Sequence, residues 1–178
     1  MKTLKFVGLG FVFIIAFILF VALFVPKDLI YEKSISINAP IEKVWIHTNS
    51  LSALDKWSPW NDYDPNMEKG LTGVDGTVGA MQIWKSSVEN VGNGSQKIVL
   101  IKEPTLFETE LKFTSPRESI AKAFVKLIPE GNKTSVTWGF KSKMPYPFNI
   151  MILFMNMEKT MGKDWDNGLS KLKMLSEK

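Results

Sequence analysis

The sequence contains no cysteine. That excludes disulfides, a thiolate nucleophile and thiolate metal sites, and it leaves the redox compartment unreadable from composition. Histidine occurs once, as His47. With no serine, cysteine or second histidine arranged around it, it reads as a structural or surface residue rather than a catalytic one. No metal-ligand cluster is visible along the chain, so neither a metal nor a cofactor is expected. Charge of one sign is also scarce. The formal net charge is +4, and setting aside Lys2 and Lys5 leaves 20 basic against 18 acidic residues, too small an excess to argue for nucleic acid. The glycine-rich stretch Gly70 to Gly79 lacks the Gly-Lys-Ser/Thr ending of a phosphate loop, and hairpin geometry accounts for it. Internal repeats and low-complexity tracts are missing as well.

What the chain does have is one long apolar run. From Phe6 to Val25, sixteen of twenty residues are Val, Leu, Ile or Phe, and none is charged. At about 1.5 Å per helical residue the run would span roughly 30 Å, the thickness of a bilayer's hydrocarbon core. Insertion scales give on the order of −5 to −10 kcal/mol for it. It ends Leu23-Phe24-Val25-Pro26 without the small-x-small pair of a cleavage site, so a retained anchor is expected over a cleaved signal peptide. The sequence therefore predicts an N-terminal transmembrane anchor over residues 1–26 and one domain over 27–178, a single-pass membrane protein. The short basic leader places the domain outside the cytoplasm more readily than inside. About 150 residues remain after Pro26, enough for one proper core.

Along that domain, Tyr31 to Ile37 alternates as a first strand, and Asn38-Ala39-Pro40 stops it and starts a helix through Val44 and Trp45. A second helical turn, Leu51 to Lys56, precedes Trp57-Ser58-Pro59-Trp60. Strand-like runs then alternate with turn signals: Met67 to Leu71, Gly79 to Ser86, Gln96 to Lys102, Leu106 to Phe113, Ser119 to Ile128 and Thr134 to Lys141. After Met144-Pro145-Tyr146-Pro147, a three-to-four periodicity through Phe154, Glu158, Met161, Trp165, Leu169, Leu172 and Ser176 predicts one long C-terminal helix. The fold class is α+β.

In order and spacing, Ser36-Ile37-Asn38-Ala39-Pro40 leading to Val44-Trp45, then Trp57-Ser58-Pro59-Trp60, Asp64-Pro65-Asn66-Met67, Gly73, Gly76 and Gly79 ahead of Trp84, Val91-Gly92-x-Gly94 and Thr134-Ser135-Val136-Thr137-Trp138 form a pattern. With the C-terminal helix, it resembles the START-like (SRPBCC) helix-grip superfamily, in its polyketide cyclase/dehydrase-type branch, over about residues 30 to 176. The resemblance implies a curved antiparallel β-sheet wrapped around a long C-terminal α-helix, with a cavity between them for a lipid, sterol, polyketide or other hydrophobic small molecule.

Within that frame the methionine-rich start of the helix supplies Met151, Met155 and Glu158 as cavity-facing positions, Met being an adaptable wall. Period-two alternation turns Gln82 with Trp84, Thr109 with Phe107, Leu111 and Phe113, and Trp138 with Val136 and Phe140 to the inward face. Trp57, Trp60, Trp84 and Trp138 offer stacking surfaces, although large aromatics dominate any core. An inward Glu158 would have a raised pKa and serve as acid or base. Three functions follow from these residues. They are membrane-tethered binding of a lipid or other hydrophobic ligand, a cyclase or dehydratase using Glu158 in the same cavity, and a chaperone-like interaction domain whose interior is filled by its own tryptophans and methionines. No catalytic residue is assigned under the first.

Overall fold

The computed structural model describes residues 2–178, with side chains from Phe6 onward. Helix α1 (Lys2–Ala22) opens the chain, followed by strand β1 (Asp28–Ile37) and three short helices, α2 (Ile41–Trp45), α3 (Leu51–Asp55) and α4 (Trp60–Tyr63). Six strands follow: β2 (Glu68–Thr72), β3 (Met81–Lys85), β4 (Asn93–Lys102), β5 (Leu106–Ser115), β6 (Ser119–Glu130) and β7 (Lys133–Lys143). A 3-10 helix, Phe148–Phe154, and helix α5 (Met157–Ser176) close the chain. The chain divides into two compact units. One holds the chain up to Leu29 together with Ser142–Asn156, and the other holds Ile30–Lys141 with Met157–Lys178.

In the first unit, the membrane-spanning expectation is corrected. Among the described residues no helix is long and apolar enough to cross a membrane. Helix α1 ends at Ala22, where the Leu23 and Phe24 amides turn back onto the carbonyls of Phe20 and Val21, three residues before the apolar run ends. Ala22 and Val25 are buried, and their carbonyls accept hydrogen bonds from Asn149 Nδ2 at 2.7 and 2.8 Å. A helix end satisfied by a side chain of its own protein replaces the expected interfacial exit. The single-pass description fails, and with it the extracytoplasmic placement that rested on the span.

In the second unit, the strands form one seven-stranded sheet in the order β1-β7-β6-β5-β4-β3-β2, antiparallel in its β2–β3, β3–β4, β4–β5 and β5–β6 pairings. The expected strands are all present, because alternation of apolar and polar residues fixes which face each strand buries. On β6, Ala121, Ala123, Val125 and Leu127 are buried while Lys122 and Lys126 lie exposed. The β6–β7 hairpin closes through Gly131 at φ +63, a conformation that glycine adopts without steric cost. Pro40, expected just inside α2, stands as its N-cap with ψ 154. Helix α3 is capped by Ser50 Oγ, which accepts from the Ala53 amide at 3.1 Å. The Asp75 carboxylate reinforces it by accepting from the amides of Leu51 and Ser52.

The single long C-terminal helix is also corrected. Residues 148–154 are 3-10 helical, Met155 is extended at φ −83 and ψ 122, and α-helix begins only at Met157. Over the α5 stretch the apolar stripe Met161, Trp165, Leu169 and Leu172 keeps the helical period and is buried or half-buried, so tertiary packing sustains the helix there. The run Ile150–Met157 is apolar nearly all round and offers no such stripe. Glu158 in the first turn and Lys173 in the last complement the helix dipole.

Two glycines of α5 separate packing from propensity. A Cβ at Gly168 would approach the Trp138 ring to 2.7 Å, whereas one at Gly162 would meet the flexible Glu158 carboxylate. Gly168→Ala is expected to lower stability by about 1–3 kcal/mol through overpacking, despite the helix-propensity gain of about 1 kcal/mol that Gly162→Ala should show as unchanged or raised stability. Denaturant midpoints of the two variants check this, and equal shifts in one direction would contradict it.

Candidate functional site

The concave face of the sheet falls into two halves. One is closed by aromatic packing. Trp138 of β7 stacks on Trp165 of α5 with ring centroids 4.5 Å apart and planes at 18°. Trp57 meets Trp138 edge-on at 4.8 Å, and Trp60 meets Trp138 at 5.7 Å and Trp165 at 5.6 Å, both edge-on. Tyr31 of β1 completes the cluster against Trp165 at 5.4 Å. Two of the indole N–H groups are satisfied inside it: Trp57 Nε1 donates to the His47 carbonyl at 2.8 Å and Trp165 Nε1 to the Trp138 carbonyl at 3.1 Å. Between this cluster and the sheet, Leu54, Gln96, Phe107, Thr109, Ala123, Phe124, Val125 and Trp138 enclose about 10 Å³. That is room for about one water molecule, against the several hundred Å³ of a typical ligand pocket. Trp57, Trp60 and Trp138 thus sit together, and as core. Trp165, which the sequence places on the helix stripe but which was not singled out as a site residue, is the ring that Trp60 and Trp138 share.

The other half is less covered. Gln82 and Trp84 of β3, Gln96 of β4 and Leu111 and Phe113 of β5 lie on this face and are only half-buried. Register brings them into rows. Gln82 pairs with Gln96, and Gln96 with Leu111. Trp84 pairs with Gly94, and Gly94 with Phe113. Glycine is required at 94, since a Cβ there would come within 2.7 Å of the Trp84 ring. That gap lets Trp84 lie against Phe113 edge-on at 5.6 Å. Polar side chains border this apolar strip. Gln96 Nε2 donates to Thr109 Oγ1 at 2.9 Å, and Thr109 is fully buried. Gln82 Nε2 donates to Asp55 Oδ2 at 2.7 Å. Lys69 Nζ reaches the other Asp55 oxygen at 2.8 Å and Asn61 Oδ1 at 2.7 Å. Of the residues expected from sequence, the structure therefore gathers Gln82, Trp84, Thr109 and Phe113 in one place, together with Gln96, Leu111 and Asp55. Gln96 was missed although strict alternation from Gln82's partner strand puts it on the same face.

Met151 and Met155 belong to the first unit, exposed on and just after its 3-10 helix. Glu158 also differs from expectation. It is exposed, accepting from the Tyr31 hydroxyl at 2.6 Å and from Lys33 Nζ at 3.0 Å. Those two bonds hold its carboxyl below the usual carboxylate range, the reverse of the raised pKa of an inward acid. The Tyr31 hydroxyl is pushed up to about 12, by burial first and by Glu158 second. His47 is pushed down by burial, with Lys56 and Lys43 adding to the effect. Among the described residues no group of three or more side chains is placed to hold a metal ion. A separate open cleft of about 240 Å³ is lined by Trp45, Asn49, Ser50, Asp75, Gly76, Ile101 and Glu103, where Asp75 is already committed to the α3 amides and to that of Gly76.

Solved structures share this architecture. Protein Mll3558 from Rhizobium loti superimposes with a TM-score of 0.60 at 13% identity, covering 83% of this chain and 96% of its own. Protein CV1439 from Chromobacterium violaceum gives 0.56 at 15% identity, covering 86% and 99%. The Aha1 dimer from Colwellia psychrerythraea gives 0.56 at 17% identity, covering 84% and 96%. At such identities the likeness establishes the fold alone. A search of curated protein sequences finds no significant match. The sequence profile described as polyketide cyclase / dehydrase and lipid transport matches residues 29–177. With that match spanning the sheet, the short helices and α5, the chain belongs to the polyketide cyclase / dehydrase and lipid transport family, whose description points to hydrophobic ligands.

Proposed function

We propose that the domain binds a hydrophobic small molecule on the outer half of its concave face. One observation carries the reading: Trp84, Leu111 and Phe113 are left half-buried beside the amides of Gln82 and Gln96, while the rest of the face is packed shut. A mostly apolar surface with a few placed polar groups is the usual make-up of a ligand site, and the family's description supports the same ligand class. Gln82, Trp84, Gln96 and Phe113 form the contact strip, with the buried Thr109 holding the Gln96 amide, and Trp57, Trp60 and Trp138 act behind it as its rigid wall. The near-absence of free volume beneath Trp138 favours a second reading, an interaction domain whose interior holds no ligand. Glu158 as a general acid finds no support in its geometry.

Titration with the hydrocarbon probe diphenylhexatriene separates the two readings. Binding is expected, and Trp84→Ala should weaken it about tenfold, the scale of one lost aromatic contact of roughly 1.5 kcal/mol. Absence of uptake, or uptake indifferent to Trp84→Ala, would favour the interaction domain. The contact between Tyr31 and Glu158 is checked by pH. Its folded pKa is lowered, so its contribution to stability is present above the ordinary carboxylate range and is lost as pH falls through the lowered value. Tyr31 has a folded pKa raised to about 12, so its contribution is present below pH 10 and is lost as pH rises through 12. Glu158→Gln should flatten the acid limb of a plot of melting temperature against pH, leaving the Tyr31 limb at lower pH than in the parent. Unchanged limbs would show that the pair does not act in folding.

A further inference from the structure

Resting on the binding reading above, the pairing of polar groups along the strip goes further, to the head of the ligand. We infer that the site selects an apolar molecule carrying an uncharged hydrogen-bonding head, such as an alcohol, ketone or amide, over one carrying a carboxylate. Gln82 and Gln96 face each other across β3 and β4 in direct register. Each spends one Nε2 bond within the protein, on Asp55 at 2.7 Å and on Thr109 at 2.9 Å. The second N–H and the Oε1 of each amide are what the strip offers a ligand, a donor and an acceptor side by side and no net charge.

The formal charges at the border are already committed. Lys69 Nζ lies 2.8 Å from Asp55 Oδ1 and 2.7 Å from Asn61 Oδ1, and Asp64 accepts from the Ser86 hydroxyl at the end of the Trp84 strand. A carboxylate head set among these groups would meet two aspartates, with the one lysine held by a partner. It would also lose its hydration without gaining a counter-ion, a cost that a hydroxyl meeting two amides does not face. The apolar neighbours Trp84, Leu111 and Phe113 hold the body of the molecule, and Thr109, fully buried, fixes the Gln96 amide that reads the head.

Displacement of bound diphenylhexatriene by 1-dodecanol and by dodecanoate at neutral pH tests this on the full chain. Dodecanol is expected to displace the probe at a concentration at least tenfold below that of dodecanoate. In Gln82→Met/Gln96→Met, where shape is kept and the amides are removed, the affinity for dodecanol relative to that for the probe should fall about tenfold. Equal or better displacement by dodecanoate, or an unchanged dodecanol-to-probe ratio in the variant, would overturn the head-group assignment while leaving hydrophobic binding intact. Failure of the probe to bind the parent protein at all would overturn both.

Discussion

The stack of Trp138 on Trp165 is the contact on which the second unit is organised. It ties the middle of α5 to β7 with ring centroids 4.5 Å apart, and it exists because Gly168, one turn further along the helix, has no side chain to hold the Trp138 ring away. Trp57 and Trp60 close on the pair edge-to-face, the arrangement in which the positive edge of one ring meets the negative face of another. Each indole of this group that lies deepest also has its N–H satisfied by a carbonyl, so no buried donor is left unpaired. The consequence is an interior with room for about one water molecule between these rings and the sheet.

That filling divides the concave face by chemistry. On the β1-β7-β6 side, large rings and α5 leave room for about one water molecule. On the β2 to β5 side, α3 and α4 contribute short polar side chains instead, and Asp55, Asn61 and Lys69 form a hydrogen-bonded rim around Gln82. The sheet runs continuously through both halves, so a rigid scaffold positions the half-buried strip, and binding there asks little reordering of it. Membership of the polyketide cyclase / dehydrase and lipid transport family and the half-buried aromatic strip point to the same class of ligand from independent directions.

Most of the architecture could be read from the chain. Two-residue alternation placed the strands and their inward faces, as at Trp84, Thr109, Phe113 and Trp138, because a one-residue slip would have turned each apolar set to solvent. The C-terminal helix was legible only where it has a stripe. From Met161 onward, residues three or four apart pack against the sheet, but Ile150 to Met157 is apolar nearly all round and carries no direction, so its 3-10 turn was hidden. The same lack of pattern misled at the N-terminus. Hydrophobicity of residues 6–25 says nothing about where a helix stops, and α1 ends at Ala22, whose carbonyl accepts from Asn149 more than a hundred residues away. Glu158 failed for a related reason: its helical position is compatible with an inward acid, and only the meeting of β1 with α5 shows Tyr31 and Lys33 waiting outside. Whether aromatic residues line a cavity or fill it depends on distances that no linear pattern encodes.

The claim beneath all of this is that the tryptophans divide into a closed core and one ligand-facing member. The chain has six tryptophans, and their indole N–H signals can be followed by nitrogen-15 NMR during titration with an apolar ligand. The account expects the Trp84 signal to shift with ligand while those of Trp57 and Trp165, bonded to the carbonyls of His47 and Trp138, stay in place. Large shifts at Trp57 and Trp165 with Trp84 unmoved would mean that the ligand opens the packed interior, and would contradict it.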